Sequence, residues 1–174
     1  LAARGVETFV VHARKAWLKG LSPKENREVP PLNYQRVYQL KRDFPALTIL
    51  INGGIQSLAE VQNHLMHTDG VMLGRTAYHE PYRLAELEHA LFGTPLPDRM
   101  ALIRQMREYT ERHLAEGGKL NHISRHLLGL FQGLPGARGW RRHLSENAHR
   151  DNADWGVVER ALASIHEPVR VPAA

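Results

Sequence analysis

Apolar residues in the first half of the chain fall into short unbroken runs. Thr8-Phe9-Val10-Val11, Thr48-Ile49-Leu50-Ile51 and Gly70-Val71-Met72-Leu73 have strand length and no polar alternation, the pattern of strands buried on both faces of a sheet. Between the last two, Leu58, Val61 and Leu65 recur at helical spacing behind Ser57, a residue type that caps helix N-termini. Strand, glycine turn, helix and strand make one parallel βαβ unit. A helix is also expected from about Asn33, with Tyr34, Val37, Tyr38 and Leu40 on one face, ending before Pro45. His64 and His67 are expected at the surface, and Met66, Met72, Met100 and Met106 in or near the core.

Leu1-Ala2-Ala3-Arg4-Gly5 reads as the last turn of a helix closed by Gly5, so the chain looks cut from something longer. Three strands this apolar leave an uncovered edge, and no other stretch offers partner strands. Pro81 opens a helix through about Leu91, ended by Phe92-Gly93-Thr94-Pro95. The style then changes. From Asp98 onward only helices are expected: one with Leu102, Ile103, Met106, Tyr109 and Leu114 inward, closed by Gly117-Gly118, and one carrying Ile123, Leu127, Leu130 and Phe131. A third follows over ARGWRRHLSENAH, and a last one behind Asp154 with Val157, Val158, Leu162 and Ile165 buried. Two domains are expected, an α/β part over 1–95 and a small antiparallel helical bundle over 96–174. The tail VRVPAA is expected to be disordered.

The glycines add chemistry to this frame. Asn52-Gly53-Gly54 follows one strand and Gly74-Arg75 follows the next, so amides from two loops can converge on one phosphate with a guanidinium beside them. In (β/α)8 barrels the loops after the last two strands form such a site, often with a short extra helix, which TAYHEP can supply. The plainer alternative is that these glycines only end strands. Lys15 to Pro31 is longer than most loops inside compact domains. Trp17 and Leu18 are its candidate anchors, and Lys19, Lys24 and Arg27 its exposed charges.

Charge is uneven. The chain carries +5 net, and residues 96–150 hold 10 Lys/Arg against 5 Asp/Glu together with five histidines. That block suits a polyanionic partner and equally an ordinary solvated face. With 0 cysteines, disulfides, thiolate metal sites and a cysteine nucleophile are excluded within this sequence. No apolar run approaches the ~20 residues that span a bilayer, and no signal-peptide pattern opens the chain; a cytoplasmic protein without membrane association is expected. His122 and His126 sit four apart in HISRH but lack the glutamate of a metal-binding HExxH helix, so no metal is expected.

Four segments together, VHARKAWLKGLSPKENREVPPLNY, ILINGGI, DGVMLGRTAYHEPY and HLLGLFQGLPGARGWRRHLSENAH, closely resemble the tRNA-dihydrouridine synthases of the A subgroup. The resemblance runs from Gly5 to about Leu162 and matches the C-terminal half of such an enzyme. It implies the last three strands of an FMN-binding TIM (β/α)8 barrel followed by a helical tRNA-binding domain. In the family NADPH reduces FMN, and the reduced flavin passes hydride to a uridine flipped out of tRNA, giving 5,6-dihydrouridine in the D-loop. A cysteine donates the proton. That cysteine, a flavin-contacting lysine and the first flavin loop match nothing here, so no catalytic residue is assigned and this sequence alone is not expected to complete the reaction.

Carried over residue by residue, the resemblance makes His12, Asn52, Gly53, Gly54, Gly74 and Arg75 cofactor-binding. It makes Lys24, Arg27, Arg138, Arg141 and Arg142 tRNA-binding, with Trp140 beside them more suited to packing than to stacking. A missing barrel half, or a second copy of the chain, is a further expected partner. Two other functions fit the residues alone: a non-catalytic RNA-binding module, and a phosphate-binding half-barrel for another small metabolite.

Overall fold

The computed structural model describes residues 1–17 and 19–166. Leu18, expected to anchor the long loop, and the VRVPAA tail lie outside the described residues. The chain divides into two compact units, Leu1–Thr76 and Ala77–Ala174.

The first unit runs β1 (Thr8–His12), α1 (Tyr34–Asp43), β2 (Thr48–Asn52), α2 (Leu58–Leu65) and β3 (Gly70–Met72), and α3 (Arg75–His79) begins at its end. A single 3-10 turn over Ala2–Arg4 precedes β1, with Gly5 left-handed after it. Local chemistry sets the helix starts. The Asn33 side chain accepts from the Arg36 amide, and Ser57 and Glu60 cap each other reciprocally at the head of α2.

All three strands are parallel in the order β1-β2-β3, with His12 beside Asn52 and Asn52 beside Met72. Right-handed crossovers put both connecting helices on one face of such a sheet. Ile49 and Ile51 are fully buried on the face that Phe9, Val11 and Val71 share by register. The other face carries Val10, His12, Leu50, Asn52 and Met72. Val10 is 53% and Met72 47% exposed. The expectation of a sheet buried on both faces therefore fails among the described residues. In a closed barrel that second face is filled by strands across the lumen, and three strands cannot supply it.

Further departures share a cause. Leu65 and Met66 are exposed while His64 is only 2% exposed. The buried positions of α2 are Val61 and His64, not Val61 and Leu65, and Thr68 beyond its end is buried too. The Tyr38 hydroxyl and His64 Nδ1 share a hydrogen bond of 2.7 Å, and that partner makes a buried imidazole tolerable. At the N-terminal edge of the sheet, Asp69 accepts from the Ile49 amide and pairs with Lys41, both at 2.7 Å. The C-terminal ends of the strands are left for the loops.

The second unit contains α4 (Tyr82–Phe92), α5 (Arg99–Ala115), α6 (Asn121–Ser124), α7 (Ala137–Asn147) and α8 (Trp155–Leu162). One core holds it together: Ile103, Leu120, Phe131, Trp140, Leu144 and Val158 are buried. Asp98 caps α5 and Asp154 caps α8. Tyr82 and Ala85 pack into this core, so the compact units divide ahead of the change in composition at 93–97. Tyr109 is exposed, and Thr110 is buried in its place, its hydroxyl bonded to the Met106 carbonyl at 2.7 Å. Nor does a helix run through Ile123 to Phe131: α6 ends at Ser124. Turns follow, and Gly129 lies against the His79 carbonyl with no room for a Cβ. No helix among the described residues is long and apolar enough to cross a membrane.

Candidate functional site

The C-terminal ends of β2 and β3 bring two glycine loops side by side. The Asn52 side chain donates to the Met72 carbonyl at 3.1 Å. Beyond it, the Thr76 hydroxyl donates to the Ile55 carbonyl at 3.0 Å. These two bonds straddle Gly53-Gly54 on one side and Gly74-Arg75 on the other, stitching the loops together. Gly53 (φ 127°) and Gly54 (φ 72°) both occupy backbone space that favours glycine. A Cβ on either would also press on Leu32, at 3.0 and 2.9 Å. The Gly54 N–H has no acceptor among the described residues, so a donor stands free at the strand end.

Arg75 opens α3 beside these loops. Its guanidinium lies 3.3 Å from the Glu28 carboxylate, in a pair exposed on both sides. An exposed pair of this kind is weak, so an incoming dianion can compete for the arginine. The chemistry of the donor set therefore fits a phosphate ester: free amides, a guanidinium, and no Cβ in the way.

His12 ends β1 at the same edge. A Cβ on Gly53 would lie 3.4 Å from His12 Cε1, so the imidazole borders the first loop. Crowding by neighbouring atoms, then the cations of Arg14, Arg27 and Arg75, push its pKa below the ordinary value. His12 is thus neutral near pH 7, with one ring nitrogen donating and the other accepting. His12 and Arg14 also line a cavity of about 380 Å³ between the end of β1 and α1, which includes none of the glycine-loop residues.

The long loop is held by side chains that bond to its backbone. Trp17 is exposed; the Asn26 side chain instead accepts from the Trp17 amide at 2.7 Å and donates to its carbonyl at 3.0 Å. Arg14 holds the far end through the carbonyls of Glu28 and Pro30. Lys24 and Arg27 sit at either end of a 3-10 turn, Glu25–Arg27, with Lys24 as its N-cap. Glu28, which follows this turn, pairs with Arg75, so the turn lies at the same end of the sheet.

Arg138, Arg141 and Arg142 lie on α7 in the second unit. Arg138 and Arg142 are exposed, and Arg141 donates to the Gln132 side chain at 2.7 Å. None of the three pairs with a carboxylate among the described residues. Arg138 and Arg141 border a hollow of about 440 Å³ at the N-terminus of α7. Trp140 is fully buried, edge-on to Phe131 at 5.0 Å, with its indole N–H on the Leu127 carbonyl; it packs and does not face solvent. His122 and His126 do not share a helix, since α6 ends between them, and each meets a different aromatic neighbour. No group of three or more side chains suited to a metal occurs among the described residues.

Sequence reasoning missed Tyr34, Leu32, Thr76 and Glu28, all of which shape the loops. Only contact across distant segments reveals them; Tyr34 read as an ordinary inward position of α1.

A parallel sheet with βαβ connections and two glycine loops at its strand ends makes this an α/β protein. The chain belongs to the dihydrouridine synthase family: the family model described as "Dihydrouridine synthase (Dus)" matches residues 1–166. The chain is similar to a "tRNA-dihydrouridine(20/20a) synthase" of Vibrio cholerae, 60% identical over 163 residues, covering 92% of this chain and 50% of that protein. It is 61% identical over 165 residues to the protein of the same description from Shewanella oneidensis, covering 94% and 49%. For Salmonella typhi the identity is 62% over 161 residues, covering 91% and 48%. The chain thus spans about half the length of the curated relatives it matches.

Proposed function

We propose that this chain carries the flavin-phosphate site and the tRNA-gripping surface of a tRNA-dihydrouridine synthase. One observation carries the reading: Asn52–Met72 and Thr76–Ile55 hold two glycine loops together at one end of a parallel sheet. The amides of Gly53, Gly54 and Gly74, with Arg75, would hold the phosphate of FMN. His12, neutral near pH 7, would offer a hydrogen bond to a carbonyl of the flavin or of the uracil. The chemistry FMN supplies when bound is hydride transfer to the uracil ring, with NADPH as the upstream reductant. The cysteine that donates the proton in the family matches no residue of this sequence.

Lys24 and Arg27 near the loops, and Arg138, Arg141 and Arg142 on α7, would hold the RNA through phosphates and base edges. A uridine stacked in folded RNA cannot reach a flavin set into a barrel mouth. Gripping the RNA body while one base swings out is the physical reason for joining a basic helical unit to a barrel. The helical unit then fixes which base arrives.

The test is a pair of titrations. The chain is expected to bind FMN, seen as a change in flavin fluorescence, and to lose it to competing inorganic phosphate. It is also expected to bind tRNA on a filter with a strong salt dependence. Retention of tRNA without flavin would leave only an RNA-binding module. Flavin binding indifferent to phosphate would remove the cradle.

A further inference from the structure

The loop between β2 and α2 is held by a side chain from α1. The Tyr34 hydroxyl donates to the Gly53 carbonyl at 2.8 Å. Tyr34 is the first residue of α1, and its place is fixed on several sides. Its neighbour Asn33 donates its amide to the Ala13 carbonyl at 2.7 Å, at the end of β1. Its ring stands edge-on to the buried His64 imidazole, 4.4 Å between centroids. Leu32 fills the space beneath both glycines, leaving no room for a Cβ.

Peptide geometry gives this bond a consequence. No peptide of the described chain is cis, and in a trans peptide C=O and N–H point in opposite directions. The carbonyl of Gly53 and the N–H of Gly54 belong to the same peptide unit. Pinning the carbonyl toward Tyr34 therefore turns the Gly54 N–H away from the helix layer. That N–H has no acceptor among the described residues. Two successive glycines at positive φ could otherwise flip this peptide at little cost, since neither side chain resists it.

We infer that Tyr34 is a positioning residue for phosphate recognition: its phenol, by holding the Gly53 carbonyl, presents the Gly54 N–H to the anion. This rests on the reading that the two glycine loops cradle a flavin phosphate. Burial, followed by the Glu60 carboxylate, raises the phenol pKa above its ordinary value, with Arg14 opposing. The hydroxyl thus stays a donor across the working range of pH. Tyr34 acts through the peptide it orients.

The experiment compares FMN with riboflavin, which shares the ring system but lacks the phosphate, on the full chain. Wild type, Tyr34→Phe and Tyr38→Phe are titrated by flavin fluorescence, with folding checked by melting curves. Tyr38 serves as control, because it lies in the same buried cluster and bonds His64 but not Gly53. The expected result is FMN affinity weakened about fivefold or more in Tyr34→Phe, the size of one lost hydrogen bond. Riboflavin affinity is expected to stay unchanged, and Tyr38→Phe to match wild type for both ligands. Equal loss of FMN and riboflavin in Tyr34→Phe, the same loss in Tyr38→Phe, or no loss at all overturns the role of Tyr34. Wild-type chain that binds riboflavin as tightly as FMN overturns the phosphate cradle itself, and the role of Tyr34 with it.

Discussion

The Asn52 carboxamide donates to the Met72 carbonyl across two adjacent parallel strands, 3.1 Å apart. Asn52 thereby acts as a clasp as well as a potential ligand contact. Its register partners, His12 on β1 and Met72 on β3, put the strand-end residues in one row. Replacing Asn52 with Ala should let the loops separate. We expect FMN affinity to fall about fivefold and stability by ~1 kcal/mol, the scale of one hydrogen bond. A flavin titration alongside a thermal melt checks both.

Much of this was readable beforehand from the runs around residues 8, 48 and 70, because parallel strands need continuous apolar stretches and glycine turns. The pairing of NGG with a later Gly-Arg located the two loops, since strand order follows from βαβ connectivity. His64 was misjudged because its burial depends on Tyr38 and Tyr34, which arrive from another helix. Met66 and Leu65 look like core by composition alone, yet the inward stripe of α2 is set by the sheet beneath it. After Ser124, Gly129 lies against the His79 carbonyl, a contact that no local pattern encodes.

Burial first, with His67 adding to it and Glu60 opposing, holds the His64 pKa below its ordinary 6.5. As pH falls through 6.5 the unfolded chain therefore takes up a proton that folded His64 still refuses. Stability contributed by the neutral imidazole is fully present above 6.5 and declines as pH falls toward the folded pKa. The limiting slope is ~1.4 kcal/mol per pH unit. His12, also shifted down, adds in the same direction. Chemical denaturation between pH 7 and pH 5 should show this decline, and His64→Gln should flatten it while lowering stability at pH 7.

Trp140 belongs to the core of the helical unit. Trp140→Ala should cost about 3–5 kcal/mol, the usual range for emptying such a site. Any loss of tRNA binding should then track unfolding, and disappear where the variant is still folded. Stability by denaturation and affinity by filter binding, measured on the same sample, separate the two.

Arg138 and Arg142 should behave oppositely to Trp140. Substituting either by Ala should leave the melting curve within about 0.5 kcal/mol, as for surface changes generally. Each should weaken tRNA binding and reduce the slope of log affinity against log salt by roughly 1. Arg141→Ala should act similarly and also release Gln132. Unchanged slopes in all three would remove α7 from the RNA-binding surface.

The most direct measurement follows backbone amide signals of the isotope-labelled chain during an FMN titration. The account predicts that Gly53, Gly54, Gly74 and Arg75 shift together and saturate at one flavin concentration, with His12 responding alongside. Shifts confined to other segments, or a response at one glycine loop without the other, would contradict it.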